Sequence, residues 1–104
     1  MKPFEPVVAE SEVRVPLVAD LDLFAAESLR DALCEAIDHG KRLVLDGSRV
    51  ERLSTACIQV LLSAARTIER DGREMRLEDP SPALISAFAD LGLSSEIVHW
   101  SADE

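Results

Sequence analysis

Glycine is scarce in this chain, four residues in 104. Neither a GxGxxG nor a GxxxxGKS/T pattern can be assembled from them, so no loop is built to cradle a nucleotide phosphate. Aromatic residues are as few, three Phe and one Trp, which leaves the core to Leu, Val, Ile and Ala. Basic charge is short as well. Eleven Lys and Arg stand against twenty Asp and Glu, a net charge of −9. Phosphate backbones and anionic lipid surfaces repel such a chain, so nucleic acid and membrane insertion are excluded as expectations. No apolar run approaches the ~20 residues of a membrane span. The opening MKPFEPVVAE lacks a signal peptide's charged start and apolar middle, and a cytoplasmic location is expected.

Cysteine is limited to Cys34 and Cys57, with no CxxC spacing. In a reducing compartment both are read as small buried hydrophobes rather than a disulfide or a metal pair. His39 and His99 each lack a second ligand at metal-site spacing, and are assigned to a helix end and a strand surface. The carboxylate pairs Asp20/Asp22 and Glu78/Asp79 are read as turn and capping residues. With no Ser-His-Asp or Cys-His arrangement in view, no catalytic residue, cofactor or metal is assigned, and the chain is not read as an enzyme.

What is present is an alternation of strands and helices. Pro3, Pro6 and Pro16 keep the first ~15 residues extended and limit them to edge strands or irregular structure. Val13 and Val15 alternate with Glu12 and Arg14, the period of a half-exposed strand. Asp22 is a fit N-cap and Gly40 a fit C′ residue. Between them Ala25, Ala26, Leu29, Ala32, Leu33, Ala36 and Ile37 recur at helical spacing. Leu43-Val44-Leu45 is an unbroken apolar run between charges, which reads as a central strand covered on both faces. A second helix begins at Ser54 or Thr55, turns inward a stripe of Cys57, Leu61, Ala64, Ala65 and Ile68 broadened by Ile58 and Leu62, and ends at Asp71-Gly72.

Met75 and Leu77 alternate with charged residues as another strand. Ser81 then caps a third helix with Pro82 at its first position, a buried stripe of Leu84, Ile85, Phe88 and Leu91, and Gly92 as its stop. The last apolar piece, EIVHW, is expected to return as a strand before the tail SADE. Strand–helix alternation demands crossover connections. The expected fold is therefore a single α/β domain over 1–104 (core about 13–98). Its sheet is mixed and mainly parallel, helices pack on it, and the N-terminal edge is antiparallel.

Ser54 and Thr55 place two hydroxyls where the second helix opens. One of them is explained as an N-cap worth about 1 kcal/mol. Two in a row are not, and no Glu or Gln stands three residues on to complete a capping box. A helix start carries partial positive charge and free N–H donors, so a phosphate is tolerated there, and phosphorylation would add about −1.5 to −2 charges. Inside a flat contact, that charge would break the contact.

The run RLVLDGSRVERLSTACIQVLLSAARTIERDGREMRLEDPSPALISAFADLGL resembles the STAS domain, the fold of bacterial anti-sigma factor antagonists. Leu43 to Asp46 match the family's strand ending in Asp, Asp71-Gly72 its helix end, Asp79-Pro80-Ser81-Pro82 its "NPSP"-like turn, and Leu91 to Leu93 the end of its third helix. Members open the second helix with Asp-Ser-Ser-Gly-Leu-Gly. Aligned through Val60-Leu61-Leu62, the Asp becomes Ser54, the phosphorylated Ser becomes Thr55, the next Ser becomes Ala56 and the Gly becomes Cys57.

The resemblance implies a binding module whose protein partner is an anti-sigma factor with serine kinase activity. Thr55 is then the phosphoacceptor candidate, and Ser54 the second choice. It also implies a docking surface of Ser48, Arg49, Glu51, Arg52, Ser54, Thr55, Ala56, Gln59 and Ser63. Two branches fit the departures. STAS adaptors of lipid-transport ABC transporters carry a Thr-Ala pair like Thr55-Ala56 and bind the ATPase subunit. STAS-like proteins of chemotaxis systems have a run similar to Cys57–Leu62. A monomer or at most a weak homodimer is expected, since Pro and charge guard the N-terminal edge.

Overall fold

The computed structural model describes residues 4–101; Pro3 and the residues after Ser101 lie outside them. Its main sheet has four strands: β1 (Val7–Val8), β2 (Glu12–Pro16), β4 (Arg42–Asp46) and β6 (Met75–Glu78), in the order β1-β2-β4-β6. β1 runs antiparallel to β2 at the edge, whereas β2, β4 and β6 are parallel. Four α-helices accompany them: α1 (Ala26–Ile37), α2 (Thr55–Arg70), α3 (Pro82–Asp90) and α4 (Ser94–Ser101). This is an α/β fold with a mixed, mainly parallel sheet.

Register explains the core. Val13 lies beside Leu43 and Leu43 beside Met75, while Val15 lies beside Leu45 and Leu45 beside Leu77. Every one of these is buried. They form two apolar rows on one face, against which Leu29, Leu33, Leu61 and Ile68 join the same core cluster. The opposite face is charged. Arg14 pairs with Glu12 and Glu78, and Arg42 reaches Glu12 at 3.2 Å and Glu74 at 3.5 Å. Val44 sits fully buried on that face, with Arg14 and Arg76 as its cross-strand neighbours.

Four expectations are corrected. EIVHW is not a strand but part of α4. Its buried residues are Ile97 and Trp100, three apart, while Val98 and His99 are exposed; that is a helical spacing, and five residues were too few to separate it from alternation. Trp100 meets Phe88 edge-to-face at 5.6 Å, an aromatic contact that holds α4 on α3. Accordingly His99 lies on a helix, 3.0 Å from Glu69.

Ile85 and Leu91 are exposed rather than buried. The nine-residue α3 can turn only one narrow stripe inward, Leu84 and Phe88 at i and i+4, and Leu91 falls at its C-cap. Cys34 is exposed too, next in sequence to the buried Leu33 but rotated off the inward stripe; Cys57 is buried.

Beside the main sheet, two-residue strands β3 (Asp20–Leu21) and β5 (Arg52–Leu53) pair in parallel. They are small, but they decide where the loops meet.

Candidate functional site at the start of the second helix

The pairing of Asp20 with Arg52 and of Leu21 with Leu53 lets two segments leave side by side. From β3 the chain enters a 3-10 turn (Leu23–Ala25) and then α1; from β5 it enters α2. Backbone bonds fix the junction. The amides of Glu51 and Arg52 both donate to the Ala19 carbonyl, and the Ser54 amide donates to Leu21 at 2.8 Å. The Cys57 thiol donates to the Asp22 carbonyl at 3.3 Å. Burial pushes the pKa of that thiol up, so it stays protonated and keeps its donor.

The two hydroxyls have different situations. Ser54 is the N-cap: its backbone is extended, and its Oγ accepts from the Cys57 amide at 3.2 Å. Its hydroxyl is occupied by the helix it starts. Thr55 is the first residue of α2 and is exposed, while Ala56 beside it is partly buried. Capping uses up the one hydroxyl and leaves the other on the surface, in the partial positive field of the helix start.

The loop before α2 is pinned from the other side. Gly47 donates to Glu78 and accepts from the Ser81 amide. The Ser81 hydroxyl donates to the Val50 carbonyl at 2.6 Å and accepts from the Leu84 amide at 3.1 Å. Gly47 is closely enclosed: a Cβ there would stand 3.0 Å from Leu84 and 3.2 Å from Leu77, both buried, and those side chains would have to give way. The amide of Ser48 donates to Asp46 Oδ1 at 3.0 Å, a bond that holds the Asp46 carboxylate below its usual range. With Val50 buried as the anchor, Ser48, Arg49, Glu51 and Arg52 all point outward. Arg52 lies 3.7 Å from Asp20. Residues Ala19, Ser48–Glu51 and Ser81–Ala83 line a shallow depression of about 580 Å³.

Of the residues expected at the surface, Ser48, Arg49, Glu51, Arg52 and Thr55 are exposed at this end, and Ser54 and Ala56 are partly covered. Gln59 and Ser63 are exposed further along α2, where they line a different feature, a groove of about 490 Å³ between α1 and α2 with Leu33, Cys34, Ile37 and Val60. What reading the sequence missed is the 3-10 turn packed beside the start of α2. Two-residue strands carry no periodicity, and only the Asp22 cap hinted at it. Asp22 Oδ1 accepts from the Ala25 amide at 3.0 Å.

Among the described residues no group of His, Cys, Asp or Glu is placed to hold a metal ion, and no helix is long and apolar enough to cross a membrane.

This chain is similar to proteins already characterised. It is 25% identical over 93 residues to the anti-sigma-B factor antagonist of Bacillus subtilis, covering 89% of this chain and 84% of that one. In three dimensions it superposes on the anti-sigma factor antagonist SpoIIAA in its unphosphorylated form with a TM-score of 0.76 at 23% identity, over 97% of this chain and 87% of the other. The phosphorylated form of SpoIIAA, a Bacillus cell fate determinant, gives 0.71 at 24% identity, over 97% and 90%. These two likenesses concern the fold. A family model described as "Mlab, STAS domain" matches residues 7–99, nearly the whole described chain, and by that match the chain belongs to the STAS domain family.

Proposed function

We propose that this protein is a cytoplasmic regulator of the anti-sigma factor antagonist type. In this reading it docks a partner protein through the start of α2 and the loop from Ser48 to Leu53, with Thr55 as a phosphate-controlled switch. One observation carries the reading: Ser54 caps the helix through the Cys57 amide, while Thr55, aligned with the family's phosphoacceptor, stands exposed at the first helical position. Kinship with the anti-sigma-B factor antagonist supports the partner class, an anti-sigma factor, and the family resemblance implies that this partner carries serine kinase activity. Unmodified, the protein captures that partner. A phosphate at Thr55 sits well on the helix start but inserts about −1.5 to −2 charges into the contact, and the partner is released.

Incubation with ATP and the candidate kinase, followed by intact mass measurement, gives a gain of one phosphate that Thr55→Ala abolishes. Thr55→Glu weakens the complex, whereas Thr55→Ala retains it. An unchanged mass, together with Thr55→Glu binding as tightly as the wild type, refutes the switch.

A second reading rests on the pair Thr55-Ala56 and on Ser54 and Cys57 standing where antagonists have Asp and Gly. It makes the same surface the contact of a phosphorylation-independent adaptor, docked on a transporter ATPase or a chemotaxis component. Binding that is indifferent to ATP and kinase but lost on Thr55→Glu selects it.

A further inference from the structure

Leu23 and Phe24 are 65% and 87% exposed. The other two phenylalanines, Phe4 and Phe88, are 1% and 0% exposed, so the core of this fold takes up an aromatic ring where one is offered. Phe24 does not stand on a loose loop tip. Its turn is capped by Asp22 Oδ1, the Asp22 carbonyl is bonded by Cys57 of α2, and the strand before it is paired to the strand before α2. The apolar tip is thereby held on the same rigid end of the molecule as Thr55. Its chain neighbourhood is acidic. Between residues 20 and 31 the sequence carries Asp20, Asp22, Glu27 and Asp31 against one arginine, Arg30; Arg52 of β5 reaches Asp20 at 3.7 Å, and acid stays in excess on a chain of net charge −9.

We infer that Leu23 and Phe24 are the apolar anchor of the docking surface at the start of α2, covered by a partner protein that presents an apolar socket rimmed with basic side chains. This rests on the proposal that the same end of the molecule binds a partner. A large ring already exposed, on a backbone already fixed, costs little to bury on docking, which is how a few aromatic anchors come to carry most of an interface. The carboxylates around it favour a basic rim and repel an anionic lipid surface or a second copy of this acidic chain.

The test places photoreactive benzoylphenylalanine in turn at positions 24, 55 and, as a control, 98, where Val98 is 69% exposed on α4. The full chain is expressed in its own cells. One and the same protein cross-links from 24 and from 55 but not from 98. Purified, that protein binds Phe24→Ala about tenfold or more weakly with the melting temperature unchanged. Phe24→Leu recovers to within about threefold, and added salt weakens all the complexes. Cross-links from 24 to another copy of this chain, or a partner that binds Phe24→Ala as tightly as the wild type, overturn the anchor. In the latter case the docking reading survives if Thr55→Glu still disrupts the complex. A cross-link from 24 with none from 55 removes the docking reading itself, and this assignment with it.

Discussion

The thiol of Cys57 donates to the carbonyl oxygen of Asp22 across 3.3 Å, thirty-five residues apart in sequence. That single bond joins the start of α2 to the turn that precedes α1. Cys57 is wholly buried, and its sulfur supplies a donor to a carbonyl that also accepts from the Ala25 amide and so closes the turn.

The two cysteines therefore react differently. Cys34 is exposed and Cys57 is wholly buried with its pKa raised by desolvation. In the native protein a thiol reagent titrates one cysteine at once, and the second only as fast as the chain unfolds. Cys57→Ala costs about 1–2 kcal/mol, from the lost sulfur volume and the lost donor. Two equally fast thiols would show that the junction is open.

Ser54 and Thr55 are separated by stability measurements, independently of any partner. Ser54→Ala removes the oxygen that satisfies the Cys57 amide and costs about 1 kcal/mol. Thr55→Ala touches an exposed first-turn position and changes stability by less than about 0.5 kcal/mol. Urea unfolding of both variants checks this; equal losses would mean that both hydroxyls serve the helix.

Much of this was legible beforehand, and the reasons are local. Val13 and Val15, Leu43 to Leu45, and Met75 and Leu77 show strand periods because one face, or both, is buried. Ser81-Pro82 marks α3 because cap and proline act within a single turn. Thr55 could be singled out because capping needs one hydroxyl, not two. The failures were tertiary. EIVHW is too short for its own spacing to separate strand from helix, and in the fold its Trp100 packs edge-to-face on Phe88. Cys34 could be taken for a core residue because it lies one residue from the inward stripe of α1. The pairing of Asp20-Leu21 with Arg52-Leu53, which builds the site, leaves no pattern in either segment because each is two residues long.

Acid should weaken the fold partly through Asp46. Its carboxylate accepts from the Ser48 amide, which lowers its folded-state pKa. A depressed carboxylate contributes stability that is fully present above the ordinary aspartate value of about 4, and is lost as pH falls through the folded value. Asp46→Asn thus flattens the acid limb of the stability curve and leaves the slope near neutrality unchanged. Parallel wild-type and variant curves below pH ~4 would mean that Asp46 contributes nothing to acid unfolding.

Ser81 offers the sharpest contrast with Ser54, for both are N-caps of the same chemistry. Ser54 is partly exposed, so water can replace its oxygen when it is removed. Ser81 is only 8% exposed, and its hydroxyl satisfies the Leu84 amide and the Val50 carbonyl together. Ser81→Ala leaves a buried donor and acceptor unpaired at once, a loss of about 2–3 kcal/mol against about 1 for Ser54→Ala. The damage also travels. Val50 is the buried anchor of the loop that presents Ser48, Arg49, Glu51 and Arg52, so amide hydrogen exchange across 48–53 accelerates in Ser81→Ala beyond what the lower global stability accounts for. Ser54→Ala leaves exchange in that loop at the global rate. If the two variants lose equal stability and the loop exchanges no faster, the cap of α3 does not hold the loop in place.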